Sequence, residues 1–290
     1  MDPRYLSWVC TALILAGAYS KVIDLSHAHK PNTFMVPGMP KYKWNQISKR
    51  DDTKKNNYYE TGSYSTGEHG GTHLDAPAHF VKGGLTLEFL PIENTIAEGV
   101  MIDCSEEARQ NPRYQVTVEK IESWESEHGP IPQQAAVIFN FGWFKFFDDP
   151  VKFVGTSAAI TDNFVFPTIS EEAGEFLLRQ RDIKIIGADV MSPDPFTIKG
   201  VQVDGMPIHQ RYLARNRVIV ENLNATDQLP PRGFRFYASP VKFHQSTGAQ
   251  VRAFAVIGDS TGGNSASAWN GAATTVISLV TVALLAALVY

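Results

Sequence analysis

Apolar residues along this chain fall into short blocks of two kinds, and the order of the blocks predicts the architecture. Lys21-Val-Ile-Asp24-Leu-Ser26-His27, Gly99-Val-Met-Ile-Asp103, Ala135-Ala-Val-Ile-Phe-Asn-Phe141 and Ile183-Lys-Ile-Ile-Gly187 are apolar runs of strand length bounded by Gly, Pro or polar residues. Two other segments carry helical spacing. Thr117 to His128 places Ile121 and Trp124 on one face behind Thr117 as an N-cap. Ser170 to Asp182 has Ser170 as its cap, Glu171 and Glu172 at the positive end of the dipole, and Ala173, Phe176, Leu177 and Gln180 marking an inner edge. A helix followed at once by a strand at Ile183 predicts an α/β arrangement. Farther on, Phe234-Arg-Phe-Tyr237, Val241-Lys-Phe243 and Gln250 to Ile257 alternate as strands, separated by Pro240 and Gly248.

Between these blocks the chain is punctuated or polar. Pro31, Pro37, Gly38 and Pro40 predict a loop. Lys41 to Glu60, with Lys49-Arg50-Asp51-Asp52 and Lys54-Lys55, reads as a solvated excursion whose Trp44, Tyr58 and Tyr59 either cover a pocket or pack on the surface. No internal repeat or linker interrupts residues 21 to about 260, which therefore read as one domain. Hydrophobic content of 43% and charge of 19% are those of a folded globular protein. A formal net charge of −4, without a basic tract, gives no reason to expect a nucleic-acid partner.

The two ends predict export and tethering. Met1 to Ser20 combines Arg4, an apolar run from Tyr5 to Ala18 and a small-residue exit, which is a secretory signal peptide in pattern. Residues 261–275 form a small and polar spacer containing Gly262-Gly-Asn-Ser-Ala-Ser267, followed by an apolar tail from Val276 to Tyr290. That succession matches a GPI attachment signal, with a transmembrane tail as the alternative, and implies the extracellular face of the plasma membrane. Within such an exported chain Asn224-Ala-Thr226 predicts a glycosylated surface position. Cys104 has only Cys10 as a partner elsewhere in the sequence, and Cys10 lies in the signal segment, so the mature chain has no intrachain disulfide to rely on.

Chemistry is concentrated at His69-Gly-Gly-Thr-His73-Leu-Asp75-Ala-Pro-Ala-His79, which holds three of the chain's eight histidines and a carboxylate. Imidazole nitrogen and carboxylate oxygen suit Zn²⁺ or Mn²⁺. His73 and Asp75 share one face of an extended segment, and His69 joins them if Gly70 and Gly71 bend the chain. Pro77 argues against a continuing helix, and His79 arrives beyond it as a fourth polar group. A histidine-bearing surface loop is the bland alternative. A second element is a helix begun by Pro207, followed by the strand Arg217-Val-Ile-Val-Glu221. A helix from His209 to Asn216 advances ~10 Å and the strand returns ~13 Å, so His209 and Glu221 can lie at one end of this hairpin. On spacing alone, a satisfied core histidine and a surface glutamate remain the default reading. Gly258-Asp-Ser260-Thr-Gly262 formally matches a serine nucleophile elbow, but it runs into the spacer where a helix is required.

Taken with Asp24-Leu-Ser26-His27, Gly187-Ala-Asp189-Val-Met-Ser192-Pro-Asp194 and Glu221-Asn-Leu223, the His-rich stretch resembles the cyclase-type metal-dependent hydrolases, a family that includes bacterial-type kynurenine formamidases (arylformamidases) and isatin hydrolases. The resemblance spans residues 22 to 258 and implies a β-barrel-like mixed sheet flanked by helices. It implies that His69, His73 and Asp75 bind one divalent ion, that Asp75 bridges to a second ion held by His209 and Glu221, and that His79 is the general acid/base. It further implies a dimer or tetramer and an amide C–N hydrolase acting on a small aryl formamide, N-formylkynurenine in the first place, or on an isatin-like cyclic amide. A membrane-tethered binding protein that keeps the fold without turnover is the rival from another class. Zinc is the expected metal, with one or two ions bound.

Overall fold

The computed structural model describes residues 21–258, apart from 53, 54, 56, 158–160, 199, 200, 203 and 204. Its apolar runs assemble into a mixed sheet. Among the described residues the sheet has nine strands in the order Lys21–Asp24, Phe254–Ile257, Phe234–Tyr237, Ile96–Asp103, Ala136–Asn140, Ile185–Ala188, Val218–Glu221, His73–Asp75 and Gly248–Gln250. The four central strands from Ile96–Asp103 to Val218–Glu221 are mutually parallel, and the remaining pairs are antiparallel. Parallel pairing requires crossovers, and the helices Val118–His128, Glu171–Gln180 and Pro207–Leu213 lie in the three connections. Thr117 and Ser170 cap the first two through Lys120 N and Ala173 N, as the sequence indicates.

Central strands covered on both faces need apolar residues at every position, which explains why Ala136–Asn140 reads as an unbroken run. Alternate side chains part to opposite layers. Val100, Ile102, Val137 and Phe139 join the layer that holds Ile121, Trp124 and Leu177 of the helices. Met101, Ala136 and Ile138 face the other layer, with Leu74, Phe234 and Phe236. Trp124 buries its ring against the first layer and donates its indole N–H to Met101 O at 2.9 Å, so the polar edge costs nothing.

The run from Gln250 to Ile257 is one strand by pattern and two by structure. Gly248–Gln250 pairs with His73–Asp75 at one edge, whereas Phe254–Ile257 pairs with Lys21–Asp24 and Phe234–Tyr237 near the other. Four Cα steps, from Gln250 to Phe254, span at most ~14 Å. The two ends of the sheet are therefore brought together, and the sheet curls into an open barrel. An isolated bridge between Ser26 and Leu223 spans the same gap.

Three other expectations are corrected. Lys41 to Glu60, read as a solvated excursion, is largely exposed but has regular structure that was not expected: Lys43–Asp52 pairs antiparallel with Asn57–Ser65 in a ribbon that carries a bulge between Gln46 and Ser48. Every residue on Lys43–Asp52 whose exposure is described is solvent-exposed, so no apolar period marks the strand. Val241-Lys-Phe243 does not form a strand, and both its apolar residues are exposed. Asn224 is half-buried, and the Thr226 of its sequon is fully buried with its hydroxyl on Asn140 Oδ1 at 2.7 Å, so the glycosylated surface position is withdrawn. Met1 to Ser20, expected to be a signal peptide, Cys10, Ser260 and the expected spacer and tail from 261 lie outside the described residues. Among the described residues Cys104 is buried and free.

Candidate metal centre

Sheet register builds the centre. His73 is the direct antiparallel partner of Glu221, and Asp75, two residues on, shares its face. Before the strand, Gly71 adopts φ +64, the left-handed conformation that glycine enters freely, and this bend returns His69 over the strand. Gly248 lies opposite Asp75, and a Cβ there would stand 2.5 Å from His69 Cε1, so the close approach of the imidazole requires glycine. Pro77 starts a single 3₁₀ turn, Pro77–His79, which stacks the His79 ring on His69 at 3.7 Å between centroids. His209 enters from the helix Pro207–Leu213, with Nε2 3.3 Å from Asp75 Oδ2 and 3.2 Å from Glu221 Oε1. All six expected residues therefore meet, and Glu221, for which spacing alone left a surface position as the default, is only 5% exposed.

Among the described residues two sets of potential ligands stand out. His69, Asp75 and His79 form one set of potential ligands within 4.8 Å of one another, and His73, Asp75 and Glu221 form the other. Asp75 is common to both. His79 thus lies among potential ligands, and His73 sits with Glu221 more than with His69.

In a neutral imidazole the hydrogen bonds assign the single N–H to one ring nitrogen. The Thr247 hydroxyl donates to Glu68 Oε2 at 2.6 Å, so it accepts from His69 Nε2 at 2.9 Å, and in a neutral ring His69 Nδ1, 2.7 Å from Asp75 Oδ1, is then the nitrogen with the lone pair. His73 Nδ1 donates to Gly71 O at 3.0 Å, which leaves Nε2 bare 3.3 Å from Asp75 Oδ1 and 3.4 Å from Glu221 Oε2. His209 Nδ1 donates to Asp194 at 2.8 Å, which leaves its Nε2 bare toward the same two carboxylates. Lone pairs converge on lone pairs. Asp75 Oδ2 and Glu221 Oε1 are buried without a hydrogen-bond partner, despite lying so close to His209 Nε2. A cluster made only of acceptors is stabilised by cations, either protons on the imidazoles or a metal ion, and its His/Asp/Glu composition suits a divalent metal.

Proton affinities reflect the same strain. Burial would lower the His73 pKa, but Asp75, Glu221 and Gly71 O outweigh it and raise it to about 9. Burial is likewise overcome at His209, which Asp194, Asp75 and Glu221 push well above the ordinary value. Burial opposes ionisation of Asp75, yet the three surrounding imidazoles hold its pKa well below the usual carboxylate range. Glu221 is raised by burial and by the charge of Asp75. His79 is lowered to about 4, mainly by burial.

Above the cluster lies a cavity of about 190 Å³. Phe34, Val36, Met39, Phe80, Met191, Phe196 and Met206 give it an apolar wall, and no Lys or Arg lines it among the described residues. These wall residues come from separate loops and carry no shared sequence pattern, so sequence reasoning misses them. It also misses the supporting roles of Glu68, Thr247 and Asp194, which are legible only from contacts across 15 to 179 positions.

The Cyclase family model matches residues 23–195, which contain His69, His73, Asp75 and His79. The chain belongs to the cyclase family. Among curated cyclase-family relatives, the isatin hydrolase of Roseibium aggregatum is 29% identical over 85% of this chain and 95% of its own length. The kynurenine formamidase of Salinibacter ruber is 24% identical over 80% of this chain and 95% of its own. A solved structure of isatin hydrolase A from Ralstonia solanacearum superposes with a TM-score of 0.74 at 29% identity, covering 86% of this chain and 97% of that one.

These relatives overturn the expected localisation. The match takes up 95% of the Roseibium enzyme, which leaves it no room for counterparts of both apolar ends. Among the described residues no helix is long and apolar enough to cross a membrane. The relatives give no support to the expected signal peptide, GPI anchor, extracellular location or membrane partner, and these are withdrawn.

Proposed function

We propose that this cyclase-family protein is a metal-dependent amide hydrolase that opens a neutral aryl cyclic amide of the isatin type in preference to N-formylkynurenine. The observation that carries the metal reading is the convergence of His69 Nδ1, His73 Nε2 and His209 Nε2 on the buried carboxylates of Asp75 and Glu221, of which Asp75 Oδ2 and Glu221 Oε1 have no hydrogen-bond partner. His69, His73, Asp75, His209 and Glu221 would hold one or two divalent ions, zinc in the first place, with Asp75 shared. When bound, such an ion supplies Lewis acidity that polarises a carbonyl and acidifies water. His79 would move the proton: half-buried at the cavity wall and stacked on His69, it can pass one to the leaving nitrogen as the C–N bond breaks. One water is consumed, and the ring opens to a single product that carries both a carboxylate and an arylamine.

The cavity wall supports the substrate class. N-formylkynurenine carries a charged amino-acid arm, for which the described lining offers no Lys or Arg, whereas Phe and Met side chains suit a flat uncharged ring. Similarity to isatin hydrolases points the same way. The test is to assay the protein against isatin, N-formylkynurenine and simple aryl formamides, with metal content measured on the same sample. We expect chelator-sensitive turnover restored by zinc or manganese, and kcat/KM highest for isatin. Full activity after complete metal removal would refute the metal reading, and a preference for N-formylkynurenine would refute the substrate class.

A second copy of the chain is the proposed partner for the ribbon. Trp44, Ile47, Tyr58, Tyr59 and Tyr64 are exposed on it, and an isolated two-stranded ribbon is marginal in water.

A further inference from the structure

Asp194 is 0% exposed, and its carboxylate is occupied by donors on every side. Oδ1 accepts from Ile208 N at 2.9 Å. Oδ2 accepts from His209 N at 2.9 Å and from His209 Nδ1 at 2.8 Å. The two backbone bonds clamp the carboxylate against the first turn of Pro207–Leu213, so it cannot turn away from the ring. On the other side, Ser192 Oγ accepts from Asp194 N at 3.1 Å and holds the turn that delivers it.

We propose that Asp194 is a positioning residue that fixes His209 in the Nδ1–H tautomer and thereby keeps the Nε2 lone pair turned on Asp75 and Glu221. The inference rests on the reading of His209 as a metal ligand. A carboxylate has no proton to offer, so whatever faces it must donate, and Nδ1 must carry the hydrogen. A neutral imidazole has one N–H only, and Nε2 is then the acceptor. Metal-ligating histidines commonly owe their tautomer to such a partner, whose loss weakens metal binding by about 10–100-fold.

Asp194→Asn is the informative change because it keeps size and shape. The single amide oxygen is drawn to the backbone N–H groups of Ile208 and His209, and the amide NH₂ turns toward Nδ1. Nδ1 must then accept, its proton moves to Nε2, and an N–H points where a lone pair is needed.

The test uses the zinc-loaded protein labelled with ¹⁵N-histidine. Long-range correlations report the protonation of each ring nitrogen, and competition with a chromophoric chelator gives the zinc affinity. Wild type should show His209 protonated at Nδ1 and bare at Nε2. Asp194→Asn should reverse the two and weaken zinc binding by about 10–100-fold, whereas Asp194→Glu, which restores an acceptor, should recover the Nδ1–H form. Retention of Nδ1–H and wild-type zinc affinity in Asp194→Asn would overturn the proposal. Should that variant fail to fold, the wild-type spectrum decides alone, since an N–H at Nε2 of His209 there overturns it equally. A His209 Nε2 signal indifferent to zinc would instead overturn the ligand reading, because protonation at Nδ1 is read separately.

Discussion

Asp75→Ala removes the one side chain shared by both sets of potential ligands, so it should remove most of the stabilisation that metal confers. An ion that binds only the folded state stabilises by RT ln(1 + [L]/Kd), about 2.7 kcal/mol when free ion is 100-fold above Kd. For a folded unit of roughly this size each kcal/mol moves Tm by about 2–4 °C, so zinc at that level should raise the wild-type Tm by roughly 5–11 °C. If loss of Asp75 weakens binding about 100-fold, the same zinc concentration equals Kd, and the increment falls to about 0.4 kcal/mol, or roughly 1–2 °C. The increment is the quantity to compare. The metal-free Tm will itself change, because His73 and His209 lose the carboxylate that raises their proton affinity. Scanning calorimetry of chelator-treated protein with and without zinc, alongside elemental analysis, measures the effect. A wild-type protein whose Tm ignores zinc, or an Asp75→Ala variant that keeps the full increment, would refute the reasoning.

His79→Ala should lower kcat by about 10²–10⁴-fold while metal content stays near wild type; metal lost in step with activity would make it a ligand of the set it shares with His69 and Asp75. Because burial lowers the His79 pKa to about 4, a rate that needs the neutral ring should hold as pH falls past the ordinary histidine value and decline only near 4, in place of the midpoint near 6.5 that an unperturbed histidine implies; a pH–rate profile checks this. Asp189→Ala strands the buried N–H groups of Phe141 and Trp143, bound at 2.9 and 2.8 Å, and at about 1–3 kcal/mol per orphaned donor should cost about 2–6 kcal/mol in denaturant unfolding; a change under 1 kcal/mol contradicts it. Trp44→Glu combined with Tyr64→Glu should reduce the sedimentation mass toward the monomer without loss of metal, and an unchanged mass would show that the ribbon holds no second copy.

Local chemistry in the sequence determined a good deal. Thr117 and Ser170 announce helix starts because capping is settled within three residues, and the unbroken apolar runs announce strands buried on both faces for the same local reason. His69, His73, Asp75 and His79 are legible as a site because a glycine bend and a period of two bring near neighbours in sequence together in space. Register is not local. That Glu221 lies beside His73, and not at the surface, follows from pairing across nearly 150 positions, and only the curled sheet decides it. The ribbon escaped the pattern because strands with no described buried face carry no apolar period. The continuous alternation from Gln250 to Ile257 concealed a passage between opposite ends of the sheet, since a side-chain period records which face is buried and not which strand lies alongside. The proton on each imidazole came last of all. Thr247, Gly71 O and Asp194 set it through contacts made only once the fold is complete, and the chemistry at Asp75 depends on those three bonds.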